Sequence, residues 1–213
     1  DAARPLPGPG GATEGPRTGL MKVAVLGGTG FLGRALVGAL LAEGGIPVVL
    51  TRDPGRARRL FPAAVAVELW NPCDAGALEE ALEGADAVVN LAGKNIGAGR
   101  WTAARRRVIL ESRTGSAVAL AQAVRRCPHP PAVFLQASAV GYYGDRGDTL
   151  LNESSGPGDG FLPEVVQAWE AAALSVGTAT RLALLRFGVV LAPDGGALPR
   201  MALPFRLYAG GCA

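Results

Sequence analysis

The stretch Lys22-Val23-Ala24-Val25-Leu26-Gly27-Gly28-Thr29-Gly30-Phe31-Leu32-Gly33 reads as a short apolar strand, a glycine-rich turn and the start of a helix. Its first residues form the kind of apolar run found in a strand covered on both faces of a parallel sheet. Gly27-x-x-Gly30-x-x-Gly33 then falls between strand and helix, the context that gives a glycine motif its meaning. Missing side chains let the backbone turn tightly and approach a pyrophosphate. The helix N-terminus adds unbonded N–H groups and the positive end of its dipole. Gly33 lets the helix pack closely on the strand. Gly27, Gly30, Phe31, Leu32 and Gly33 are therefore candidate contacts to a dinucleotide.

Outward from this stretch, short apolar runs alternate with helical patterns. Strands are predicted at 22–26, 48–51, 65–69, 87–91, 132–137 and 182–187, and helices at 31–43, 75–83, 102–126 and 162–176, with a shorter turn near 56–60. The long helix has a plausible N-cap in Thr102. Strand-first alternation of this kind implies an α/β, Rossmann-type doubly wound parallel sheet. The expected layout is a disordered leader over 1–20, one dinucleotide-binding domain over 21–192, and a segment over 193–213 that begins a substrate side. The last segment has loop composition and then a short apolar run, so the substrate lobe is expected to be largely missing.

The composition restricts the function classes. Of 213 residues, 49% are apolar and 18% charged, as in a packed globular chain. The net charge of +3 is almost all arginine, because lysine occurs only at Lys22 and Lys94. The arginines are scattered without interleaved aromatics, which argues against nucleic-acid binding. Cys73, Cys127 and Cys212 are far apart and the single histidine, His129, lies in a proline-rich turn, so neither a metal site nor a disulfide framework is readable. A reducing compartment, the cytoplasm or an organelle matrix, fits this cysteine usage. No apolar run reaches the roughly 18 residues a membrane span needs.

Cofactor choice is read at the end of the second strand, where NAD enzymes place an acidic residue on the ribose 2′-hydroxyl. Thr51 stands there and Arg52 follows, a hydroxyl and a guanidinium that suit a 2′-phosphate and favour NADP. Asp53 leaves NAD open, since a register two residues longer would put a carboxylate in that place. The fourth strand ends Val89-Asn90-Leu91-Ala92-Gly93, where small residues would let the backbone approach the ribose and adenine side of the cofactor, and Leu91, Ala92 and Gly93 are candidate contacts.

With Ser138-Ala139-Val140-Gly141-Tyr142-Tyr143-Gly144, Trp169-Glu170-Ala171-Ala172 and Arg186-Phe187-Gly188-Val189-Val190-Leu191 following in order, the chain resembles an atypical extended short-chain dehydrogenase/reductase. More narrowly, it is similar to the epimerase-like oxidoreductases related to sugar-nucleotide epimerases, over residues 21 to about 211. The resemblance implies NADP contacts from Thr51, Arg52, Leu91, Ala92, Arg113 and Val190. It also implies a dimer through the two long helices. Family members usually continue past Pro204-Phe205 into a substrate-covering lobe.

Short-chain dehydrogenases use a Ser, a Tyr and a Lys four residues after the Tyr; the Lys lowers the Tyr pKa so that it exchanges a proton as hydride moves. No such pair exists here: Tyr142, Tyr143 and Tyr208 have no lysine at that spacing, and the equivalent positions are Val165 and Trp169. Ser138 stands where the family has its serine, and Tyr143, or its neighbour Tyr142, is the candidate acid. Lys94 is a conceivable activator. The expectation is an NADP-dependent oxidoreductase or epimerase acting on a small polar carbonyl, alcohol or sugar-nucleotide, with two alternatives: an NADP-binding scaffold without turnover, or a truncated inactive isoform.

Overall fold

The computed structural model describes residues 20–71, 75–193 and 195–207. The expected leader up to residue 19, Cys73, Tyr208 and Cys212 lie outside them.

Six strands form one sheet: β1 (Lys22–Leu26), β2 (Ile46–Thr51), β3 (Ala66–Leu69), β4 (Ala87–Asn90), β5 (Val133–Ala139) and β6 (Arg181–Phe187). All five pairings are parallel, in the order β3-β2-β1-β4-β5-β6. The order reverses between β1 and β4, which leaves a crevice beyond their carboxyl ends, the place where such sheets bind ligands.

Side-chain alternation explains the two layers. Ala24, Leu26, Leu50 and Val88 point to one face, where they pack with Leu78, Leu120, Val124, Trp169 and Ala173. Those partners belong to α3 (Ala75–Leu82), α4 (Ala103–Arg126) and α5 (Phe161–Leu174). Val23, Val25, Val49 and Val89 point to the other face, against Val37 of α1 (Phe31–Ala42) and Ala57 of α2 (Pro54–Leu60). Each fully buried Val, Leu or Phe contributes about 1.5–3 kcal/mol, and Leu26, Leu50 and Phe134 are all below 2% exposed.

The helices begin where short polar side chains, or glycine, stop the strand geometry. Thr102 caps α4 by accepting from the Arg105 N–H at 3.3 Å, and Asp53 caps α2 by accepting from the Arg56 N–H at 2.9 Å. α1 starts at Gly30 with no side-chain cap.

The segment after β6 corrects the loop expectation. A small antiparallel hairpin, β7 (Leu191–Ala192) with β8 (Gly195–Gly196), leads into α6 (Leu198–Arg206). Pro199 and Pro204 made this stretch read as loop. Pro199 sits in the first turn, where its missing N–H costs no bond, whereas Pro204 lies inside the helix. Among the described residues, no helix is long and apolar enough to cross a membrane.

Candidate functional site

The glycine loop closes on itself and on the end of β4. Gly30 N–H donates to the Gly27 carbonyl at 2.9 Å, and the first helical rung is Arg34 N–H to Gly30 O at 3.0 Å. The N–H groups of Phe31, Leu32 and Gly33 precede any intrahelical partner. Gly27 has φ +80°, and a Cβ there would lie 2.7 Å from the Leu91 carbonyl carbon. A Cβ at Gly33 would meet the Gly27 oxygen and come within 2.5 Å of Gly28 Cα. The loop therefore requires bare backbone at both positions, at Gly27 to lie against the end of β4 and at Gly33 to let α1 close on the turn.

β2 delivers Thr51 and Arg52 to the same crevice. They line a cavity of about 200 Å³ with Gly27, Thr29, Arg56 and Ala92. Asp53 does not oppose them as a free acid. Its Oδ1 accepts from Arg56 N–H and its own N–H donates to Thr51 Oγ1 at 3.2 Å. Thr29 and Arg56 were not among the sequence candidates. Arg56 was concealed because the short helix that carries it was readable only as a turn.

The end of β4 is held from behind by a buried polar group. Parallel register sets Asn90 beside Gln136, and Asn90 Nδ2 donates to Gln136 Oε1 at 2.9 Å and to Ser116 Oγ at 3.3 Å. Asn90 Oδ1 accepts from the Ala92 N–H at 3.1 Å, which fixes the turn through Leu91, Ala92 and Gly93. Arg113 lies across Gly93, whose Cβ would be 3.3 Å from the guanidinium carbon. It donates to the Lys94 and Ile109 carbonyls, each at 3.1 Å, and stacks 5.2 Å above the Trp169 ring. Burial pulls its pKa down from the ordinary arginine value.

Phe31 and Val190 meet through the β7–β8 hairpin. Gly195 packs its backbone against the Phe31 ring, and Ala197 N–H donates to the Val190 carbonyl at 3.0 Å. The segment after β6 thus lies over the start of α1, beside the glycine loop.

The second cluster sits at the carboxyl ends of β5 and β6. Register places Ser138 next to Arg186 on adjacent strands, so both point toward α5, which supplies Glu170. Ser138 Oγ donates to Glu170 Oε1 at 2.5 Å. Arg186 grips the same carboxylate with Nε and a terminal nitrogen, both at 2.8 Å, and its other terminal nitrogen donates to the Tyr143 hydroxyl at 2.9 Å. The guanidinium also lies 3.6 Å over the Tyr142 ring. Burial works to raise the Glu170 pKa, but the hydrogen bonds from Arg186 and Ser138 outweigh it and hold the carboxyl below its ordinary range. The same carboxylate pushes the Arg186 pKa up.

Tyr143 and Arg186 of this network line a cavity of about 740 Å³ that Asn152, Glu153 and Leu151 also border, with Ser138 and Glu170 buried behind them. Val165 and Trp169, where a Tyr and a Lys would stand in the usual pair, are both buried apolar residues. Among the described residues, the cation that bonds the Tyr143 hydroxyl is Arg186 and not Lys94. The sequence had offered Glu170 and Arg186 only as parts of motifs, with no role attached.

A reversed six-stranded parallel sheet with its glycine loop at the switch point defines a Rossmann-type dinucleotide-binding domain, of the atypical extended short-chain dehydrogenase/reductase kind. The chain belongs to the NAD dependent epimerase/dehydratase family, whose model matches residues 23–160. It is 38% identical over 200 residues to the chloroplastic epimerase family protein SDR39U1 homolog of Arabidopsis thaliana, covering 90% of this chain and 55% of that one. It is 39% identical over 194 residues to the epimerase family protein SDR39U1 of Bos taurus, covering 90% and 62%. The crystal structure of human epimerase family protein SDR39U1 (isoform 2) with NADPH superposes with a TM-score of 0.75 at 36% identity, covering 90% of this chain and 61% of that one. The chain therefore spans a little over half the length of the relatives it matches.

Proposed function

We propose that the chain binds NADP and is the cofactor-binding part of an oxidoreductase or epimerase acting on a small polar carbonyl, alcohol or sugar-nucleotide. The observation that carries this reading is the pairing of a bare-backbone loop with Thr51 and Arg52 at the end of β2, where Asp53 is occupied as a helix cap. Binding of NADPH by the human relative supports it. A bound nicotinamide would supply or accept hydride. The loop N–H groups would hold its pyrophosphate, with Leu91, Ala92 and Gly93 against its ribose, and Arg113 and Val190 would close the nicotinamide side.

Tyr143 is the proton donor in this reading. Its oxygen accepts from Arg186, which leaves the phenol proton free for a substrate oxygen and sets a guanidinium beside the phenolate that forms. Ser138 has its proton on Glu170, so its oxygen would meet the substrate as an acceptor. That arrangement, together with Val165 and Trp169 in place of a Tyr and Lys, favours the second reading of an NADP-binding scaffold without turnover. A homodimer through α4 and α5 belongs to the same proposal, and the exposed Val108, Val118 and Leu174 leave apolar positions for it. A monomer mass by light scattering removes it.

Thermal unfolding with and without NADPH tests the binding. At a hundredfold excess over the dissociation constant, stability should rise by about 2.7 kcal/mol. Absence of any shift defeats the proposal. NADPH absorbance followed across a panel of carbonyl and sugar substrates separates turnover from binding alone.

A further inference from the structure

Two guanidinium groups border the small cavity at the end of β2, and the cofactor assignment above uses one. Arg52 extends from the strand end and Arg56 from the first turn of α2, with Thr29 and Thr51 between them and the glycine loop. Both arginines are exposed, and among the described residues neither side chain makes an ion pair or a hydrogen bond. Three other arginines toward the carboxyl ends of the strands are occupied: Arg113 by the Lys94 and Ile109 carbonyls, Arg186 by Glu170, and Arg146 by the Gly156 and Pro157 carbonyls.

The one carboxylate at this cavity serves the same arginine. Asp53 Oδ1 accepts from the Arg56 backbone N–H at 2.9 Å, so the acid fixes the turn from which the Arg56 side chain departs. With that oxygen turned to the helix, the cavity presents two guanidinium groups free of side-chain partners and two hydroxyls, against the single charge of the Asp53 carboxylate. A ribose hydroxyl calls for one acceptor. A phosphomonoester, carrying a charge of about −1.5 to −2 at neutral pH, calls for two cations and donors around them.

We propose that Arg56 is a second ligand, with Arg52, for the 2′-phosphate of an adenosine ribose, and that Asp53 is its positioning residue. This rests on the reading that the chain binds a dinucleotide at the glycine loop. It adds that the preference for the phosphorylated cofactor is divided between strand β2 and helix α2. Asp53 therefore supports NADP selectivity, although its position in the sequence suggests an acid that favours NAD.

The test is a fluorescence titration of the whole chain with NADPH and NADH at one ionic strength, with 2′,5′-ADP and 5′-ADP as competitors. Arg56→Ala should weaken NADPH and 2′,5′-ADP about ten- to hundredfold and leave NADH and 5′-ADP within about twofold, as expected for loss of a charged hydrogen bond. Arg56→Lys should recover part of the loss. Asp53→Ala should lower the NADPH-to-NADH preference by a smaller factor, and Asp53→Asn, which can still cap the helix, should restore it. Far-UV circular dichroism checks that each variant is folded.

Equal losses for NADPH and NADH in Arg56→Ala, or an unchanged preference, would overturn the assignment of Arg56 while leaving dinucleotide binding intact. A parent protein that binds none of the four probes would instead overturn the reading beneath it.

Discussion

The glycine loop and the Ser138–Glu170–Arg186–Tyr143 network lie at the carboxyl ends of the strands of the same sheet, yet they are built by opposite means. The loop is seven consecutive residues, Gly27 to Gly33, and at Gly27 and Gly33 its contribution is the absence of a side chain. The network is four side chains from separate elements, spaced 32, 16 and 43 residues apart along its bonds. A site made of backbone fails when any atom is added. A site made of side chains fails when one is removed, and it fails locally. Binding and chemistry should therefore separate under mutation.

The largest expected effect is at the loop. Gly33→Val places a branched side chain where even a Cβ meets the Gly27 oxygen and Gly28 Cα. Since those are backbone atoms, relief requires moving α1 away from β1. Destabilisation above about 4 kcal/mol and loss of NADPH binding are expected, measured by urea denaturation and cofactor titration. A stable Gly33→Val protein with parental NADPH affinity would break the comparison on its strongest side.

Next comes the network. Glu170→Ala leaves the Arg186 guanidinium and the Ser138 hydroxyl without their shared acceptor. Removing one member of a fully buried ion pair costs about 3–5 kcal/mol, and this part-buried pair should lose about 3 kcal/mol or less. NADPH affinity of the folded fraction should stay within about threefold of the parent, since the carboxylate bonds only to residues of β5 and β6. A larger loss of affinity would show that the two sites are coupled.

Acid sharpens the same point. Glu170 is held below its ordinary value of 4.5, so its contribution is complete above that pH and is lost as pH falls through the lower folded value. Glu83, also lowered, by the bond to His129 first, titrates in the same direction. The melting temperature should be level down to about pH 5 and decline below 4.5, with a shallower decline in Glu170→Gln. An equal decline in parent and variant would place the acid sensitivity elsewhere.

How far the sequence could be read follows from the same contrast. The six strands, the glycine loop and the Thr102 cap were legible because each depends on neighbours within a few residues. Thr51 and Arg52 were legible because the strand end fixes where they emerge. Glu170 and Arg186 were present in the quoted motifs, but their pairing depends on α5 crossing β6, and no local pattern encodes that crossing. Asn90, Gln136 and Ser116 form their buried group for a similar reason, since it exists only once β4 and β5 are in register. α6 was missed because its prolines mimic a loop.

The smallest effect isolates the principle within one helix. Gly38 lies in the middle of α1, five residues beyond Gly33, and a Cβ there would meet nothing within 4 Å. Glycine in a helix interior costs about 0.5–1 kcal/mol relative to alanine, because the unfolded chain has more freedom to lose. Gly38→Ala should therefore stabilise the protein by about that amount without changing NADPH affinity, as a denaturant midpoint and a titration would show. If Gly38→Ala destabilises instead, α1 is packed against something that this arrangement leaves open, and the tolerance of the helix beyond its first turn is smaller than the contrast with Gly33 implies. If it stabilises as expected, the intolerance of Gly33 belongs to the loop contact alone and not to α1 as a whole.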